Sequence, residues 1–153
     1  MQKERGFSTD SHGYVSYSGL HDKAVVSFFY SDETKIFRLS VHGLHGDNTR
    51  VDVCLEGVVQ ITISNIINGS ICEGLYAWEI KDAFDHYGDN AQGRLGLSWD
   101  VLLSPFATDV DERKFIARQI VEKYPDALLV RFGFDVYVGG DIVAICNNLN
   151  WIA

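Results

Sequence analysis

Three short stretches of this chain carry side chains able to do chemistry. His42-Gly43-Leu44-His45, followed by Asp47, offers two imidazoles and a carboxylate. Such groups ligate Zn²⁺, but a site needs a third or fourth ligand within reach. His21 and Asp22 approach the same end of the fold if the segment between is a hairpin that returns the chain. The simpler reading is a polar loop with surface histidines, and no metal is expected. Asp85-His86-Tyr87-Gly88-Asp89 places an acid, a base and a hydroxyl in one loop. General acid–base catalysis needs such groups around a dry pocket, whereas a loop rich in them is ordinarily solvated. Cys54 has no His fixed beside it by spacing, so a nucleophile there lacks an activating base. No phosphate loop or nucleophile elbow occurs, and Gly93-Arg94-Leu95-Gly96 is too short for a dinucleotide fingerprint. The reading is non-enzymatic, with no catalytic residue and no cofactor.

Charge and shape are what remain. The stretch Arg50 to Ile67 alternates. Val51, Val53, Leu55, Gly57, Val59, Ile61 and Ile63 fall on one side, with Asp52, Cys54, Glu56, Val58, Gln60, Thr62 and Ser64 on the other. Side chains on a strand alternate faces, so one face is apolar and the other mostly polar. A hairpin turn at Glu56-Gly57 would mix the two faces, so one long strand, bent or bulged at Gly57, is predicted. Asn68-Gly69 fits a type I′ turn. Pairing Ile67 with Ser70 carries the apolar face onto Ile71 to Ile80 and sets Asp52, Glu56, Glu73 and Glu79 on one side of neighbouring strands. An acidic face of this kind can accept a cationic partner. Antiparallel sheets also commonly leave one face to solvent.

Around this stretch the other elements follow from periodicity and punctuation. Residues 1–12 read as a flexible arm, with a short strand through Tyr14, Val15 and Tyr17. Ala24 to Tyr30 and Lys35 to His42 form a hairpin, with Ser31 pairing Thr34 and Phe28 facing Phe37. Lys81 to Arg94 reads as a long loop that could open with a helical turn. Leu95 to Leu103 reads as a strand, with Leu95, Leu97, Trp99, Val101 and Leu103 alternating. Residues 109–124 are the one amphipathic helix, capped by Asp109 with Glu112 at the capping-box position and ended by Pro125. Leu128 to Val138 and Asp141 to Leu149 form a second hairpin about Gly139-Gly140, with Phe134 opposite Ile145, and Trp151 and Ile152 tucked against the fold. The fold class is α+β, mainly β. It is an antiparallel meander sheet of about eight strands, compatible with a strongly curved or barrel-like form, in a single domain of residues 1–153.

The chain has 153 residues, a net charge of −8 and three cysteines. Acidic charge opposes sequence-independent nucleic-acid binding, which needs Lys and Arg along phosphates, and opposes anionic membrane surfaces. An odd cysteine count without paired spacing is not a disulfide framework. No apolar run approaches the length of a membrane span. The N-terminus lacks the apolar core of a signal peptide. A cytoplasmic address is expected, although a mature secreted form with its signal removed has the same appearance.

The run Gly19-Leu20-His21-Asp22 leading into a β-hairpin, then a strand ending near Gly57-Val58 and another closing on Ile63-Ser64-Asn65, resembles a pattern in small bacterial proteins. Several of these are immunity proteins of polymorphic or contact-dependent toxin systems. The likeness spans residues 19–80 and carries no residue-specific role. It implies an intracellular binding protein that neutralises a toxin domain made by the same cell, with a basic toxin domain as a fitting partner. The alternative is a small enzyme or ligand-binding β domain with a pocket lined by Tyr76, Trp78 and Trp99.

Overall fold

A computed structural model of the chain describes residues 5–67, 69–88, 93–135 and 140–152. In chain order the elements are β1 Lys23–Ser31, β2 Ile36–Gly43, β3 Arg50–Glu56, β4 Gln60–Ser64, β5 Ile71–Glu79, α1 Ile80–Asp85, α2 Gly93–Leu103, α3 Val110–Lys123, β6 Leu128–Phe134, β7 Asp141–Cys146 and β8 Asn148–Ile152. The fold is α+β and mainly β, as its patterning predicts. Eight antiparallel strands make one sheet in the order β4-β7-β6-β5-β1-β2-β3-β8, and the sheet is not closed into a barrel. This order is not a meander. No helix of the described residues is long and apolar enough to cross a membrane.

The bend expected at Gly57 is present and organises the sheet. β3 pairs with β8, and β4, its continuation, pairs with β7. Glu56 faces Asn148 and Gln60 faces Ile145, so four steps along one chain span three along the other. The extra residue is a bulge-like irregularity, and it breaks the predicted single strand in two, with residues 57–59 belonging to neither β3 nor β4. Gly57 adopts φ +63°, and a Cβ there would lie 2.4 Å from Asn147 Nδ2. Only glycine combines that backbone with that approach.

The curved sheet has a core on each side. On its concave side Phe37, Leu39, Val53, Leu55, Leu75, Phe132 and Ile142 pack together with Val15 and Leu20 from the N-terminal segment. On the convex side Leu129, Val143 and Ile145 meet Trp99, Leu102, Leu103 and Ala117 of the helices. β6 and β7 are therefore buried on both faces. This explains why their sequences, LLVRFGF and DIVAIC, run nearly uninterrupted in apolar residues.

Several sequence expectations are corrected. Residues 95–103 form a helix, not a strand. Leu95, Trp99, Leu102 and Leu103 are buried at helical spacing, while Leu97, which an alternating strand would bury, is half exposed. Ser98 Oγ donates to the Arg94 carbonyl at 2.6 Å, one helical turn back. Residues 80–85 are also helical. In the first hairpin Ser31 pairs with Ile36, not Thr34, and Phe28 faces Leu39, not Phe37. Lys35 takes a left-handed φ of +57°, which lengthens the turn, and a bulge between Val25 and Ser27 shifts the register again. The turn around Gly69 exists, with Ser70 N–H donating to the Ile67 carbonyl, but no ladder continues from it. β4 pairs with β7, while β5 pairs with β6 and β1; Asn68 lies outside the described residues. The C-terminal hairpin sets Leu129, not Phe134, opposite Ile145. Strands apolar on both faces do not select one register through alternation. Residues 136–139 of its tip, Val136, Val138 and Gly139 among them, lie outside the described residues. The last strand extends through Ile152 as β8, with Trp151 partly buried and Ile152 73 % exposed.

The helix at 110–123 matches its prediction. The Asp109 side chain accepts from the Asp111 N–H at 2.7 Å, and Pro125 follows the C-terminal cap. Phe115, assigned to its apolar stripe, is 61 % exposed. Residues 5–20, part of which was expected as an arm, lie against β5. Val15 N–H donates to the Leu75 carbonyl and Ala77 N–H to the Gly13 carbonyl.

Candidate protein-interaction surface

The helices cover only one half of the convex side. They pack over β4, β7, β6 and β5, and the core they form takes no described residue from β1, β2, β3 or β8. The outward side chains of this bare half fall in cross-strand rows set by register. Ser31, Ile36, Glu56 and Asn148 form one row, Phe29, Arg38, Cys54 and Asn150 the next, and Ser27, Ser40, Asp52 and Ile152 the third. A groove of about 530 Å³ runs across β2, β3 and β8 between these rows, with Ile36, Arg38, Asp52, Cys54 and Ile152 on its walls. Phe29 is 61 % exposed at one border and Ile152 73 % at the other.

The polar groups of the groove are tied to one another. Ser40 Oγ donates to Asp52 Oδ1 at 2.6 Å, and Arg50 Nε donates to the same oxygen at 3.1 Å. The Ser40 hydroxyl, with Arg50 and Arg38 adding, holds the Asp52 carboxyl below its ordinary range. Asn150 Nδ2 donates to Glu56 Oε1 at 2.6 Å. Desolvation, with Glu56 adding, pushes the Cys54 thiol up, which keeps it protonated and a poor nucleophile. The polar centre of the groove is thus internally bonded, with exposed apolar side chains only at its borders.

The four acidic residues singled out in the sequence do not share one surface. Asp52 and Glu56 stand on the bare half. Glu73 is exposed beside the bulge between Cys72 and Gly74 of β5, and β1 and β2 separate β5 from β3. Glu79 faces the N-terminal segment, where Arg5 donates to both its carboxylate oxygens at 2.8 Å. Arg5 also donates to the Asn147 and Asp126 carbonyls, and its side chain is 8 % exposed. The acidic surface depended on a β4–β5 ladder that does not form. The surface that does form mixes Arg38 and Arg50 with Asp52 and Glu56. Phe28-Phe29 is its signal in the sequence, because adjacent aromatics on a strand point to opposite faces, which sets Phe29 beside Arg38 and Ile36 on the outer one.

The aromatic pocket also disperses. Tyr76 and Trp78 stack on β5 with centroids 6.2 Å apart and planes at 15°. Trp99 lies in the helical core, stacked on Tyr87 at 5.8 Å, with Nε1 donating to the Ala83 carbonyl at 2.9 Å. Of the three only Trp78 lines the cavity of about 340 Å³ beside Arg5, Asp10, Glu79 and His86. Tyr87 donates its hydroxyl to Asp100, which also accepts from Arg113 Nε at 3.1 Å. Desolvation and the Asp100 bond push the Tyr87 phenol up to about 12. The Asp100–Arg113 pair ties α2 to α3. Asp85 and His86 are exposed at the end of α1, and Asp89 lies outside the described residues.

The two histidine segments meet at one end of the first hairpin, where Lys23 pairs with Gly43 and its Nζ lies 3.7 Å from Asp47 Oδ2. Among the described residues no three His, Cys, Asp or Glu side chains are placed to hold a metal ion. Asp47 accepts from both the N–H and the hydroxyl of Thr49, and His42 Nδ1 lies 2.7 Å from the Gly43 carbonyl. His21 and Asp22 stand 3.7 Å apart in the open. Comparison with protein-family models, curated proteins and solved structures returns no match for this chain.

Proposed function

We propose that this chain is a non-enzymatic protein-binding domain that docks its partner on the bare outer half of the sheet. The carrying observation is the asymmetry of the convex side. Helices bury one half, while the other presents a groove bordered by Phe29 and Ile152, which are 61 % and 73 % exposed. The uncovered half offers a partner both a groove and, in Phe29 and Ile152, large apolar side chains whose burial favours association. The engagement of Tyr87, Asp100 and Arg113 in a structural bond network supports a binding role over catalysis.

Within this class, an intracellular immunity protein is the reading that the sequence resemblance favours. Its partner is then a toxin domain. The net charge of −8 speeds encounter with a basic one. The test is co-expression with the product of the adjacent gene. Expected are a co-purifying complex, rescue of growth, and loss of both on Phe29→Asp combined with Ile152→Asp. A complex that tolerates both substitutions moves the interface elsewhere. Absence of any complex or protection removes the immunity reading.

A further inference from the structure

We infer that the open edge of β1, from Val26 to Ser31, takes up an extended cationic segment of a protein partner as an added strand. This rests on the protein-binding reading above and names the mode of engagement.

β1 pairs with β2 along its whole length but with β5 only at Lys23 and Ala24. The Val25 N–H donates to the Ser70 carbonyl and its C=O accepts from Gly69 N–H, and there the contact ends. β5 begins at Ile71, just after the turn that closes with Ser70 N–H on the Ile67 carbonyl, so β5 does not reach past Val25. Beyond it, among the described residues, the backbone of Val26 to Ser31 has no strand beside it on that side. Alternate residues of such an edge turn their N–H and C=O groups outward, and another extended backbone satisfies them all.

Exposed edges are ordinarily blunted by charge, proline or a covering segment. β8, at one end of the sheet, has such a cover: Phe7 packs on Trp151 and Arg5 bonds the Asn147 carbonyl. The open run of β1, Val-Ser-Phe-Phe-Tyr-Ser, contains neither charge nor proline. Its Val26, Phe28 and Phe29 are 41, 42 and 61 % exposed.

Charge and area select the occupant. Two copies of this chain each carry −8 and repel. Phe28 and Phe29 together expose about the area of one aromatic side chain, roughly 200 Å². A stable pair of copies buries about 800 Å² on each side. A cationic strand is attracted by the net charge of −8 instead of repelled. Glu33 stands exposed where the edge ends, beside Asp32, which Lys35 pairs at 2.6 Å.

The experiment uses the full chain and two probes: the adjacent-gene product, and a labelled short peptide alternating lysine and valine. A peptide of the same composition with a central proline is the control. Expected is binding of the alternating peptide at least tenfold tighter than the control, with slowed hydrogen exchange at the amides of Val26–Ser31. Phe28→Lys should lose at least tenfold in affinity and Phe28→Tyr should recover it, both with unchanged circular dichroism. Equal binding of the two peptides, or edge amides that exchange as in the free chain, overturns the proposal. Dimers by sedimentation with those amides already protected also overturn it, in favour of a second copy. If the adjacent-gene product binds without protecting the edge, strand addition fails while the binding function stands. If that product does not bind but the strand peptide protects the edge, the immunity reading fails and the edge site stands.

Discussion

Gly57 is the residue on which the geometry of the sheet turns. It holds a left-handed φ of +63° with Asn147 Nδ2 2.4 Å from where a Cβ would sit. Gly57→Ala must therefore absorb both a backbone cost and a collision. The backbone part alone is about 1–2 kcal/mol. We expect urea denaturation to show at least that loss, with Asn147→Ala in the same chain restoring only the part due to the collision. An unchanged midpoint would mean that the bend does not need glycine. The place of this bend was legible, because alternation continues on both sides of a residue without a side chain. The fate of Glu79 was not. Its partner Arg5 lies 74 residues away, and nothing in the local spacing of either residue announces the other.

At the scale of elements, punctuation made the difference. α3 lies between Asp109 and Pro125, and both ends act as residue types dictate. Asp109→Ala should remove the acceptor for Asp111 N–H and cost about 1 kcal/mol, and Asp109→Asn should cost much less. Equal losses for the two variants would show that the side-chain bond is not what stabilises this end. α2 had no comparable mark at its start. Leu95, Leu97, Trp99, Val101 and Leu103 satisfy a period of two, while Leu95, Trp99, Leu102 and Leu103 satisfy a helical period. Burial decided between them: a helix places Leu97 outward and packs Trp99 on Tyr87 and against Ala83.

The whole molecule is a sheet with two cores that share its central strands. Leu129 faces the helices and Phe132, three residues on, faces the concave core. Truncation at either site removes a fully buried side chain, so Leu129→Ala should cost about 2–5 kcal/mol and Phe132→Ala about 3–5 kcal/mol. Because β6 and β7 belong to both cores, each variant should still unfold in one transition with the slope of the parent. A second transition in the Leu129→Ala protein would show the helical layer melting apart from the sheet. The same sharing leaves the outer half over β1, β2, β3 and β8 without a cover, and there recognition is proposed.

Local rules determined most of the strands but not α2, which they read as a strand; they also determined which residues of β2 and β3 point inward, where the chain bends, and where its best-marked helix starts and stops. These follow from the alternation of Cβ atoms, from backbone freedom and from capping, all of which act over a few residues. Only the tertiary structure decided which strands are neighbours. β4 could have joined β5 through a short turn, yet it pairs with β7, with β5, the helices and β6 between them in the chain, and the expected acidic face separates into three places. Pairing is a competition among edges of similar local quality. It is resolved by how much apolar surface the finished sheet buries on both sides, and strands apolar on both faces carry no record of that result in their own sequence.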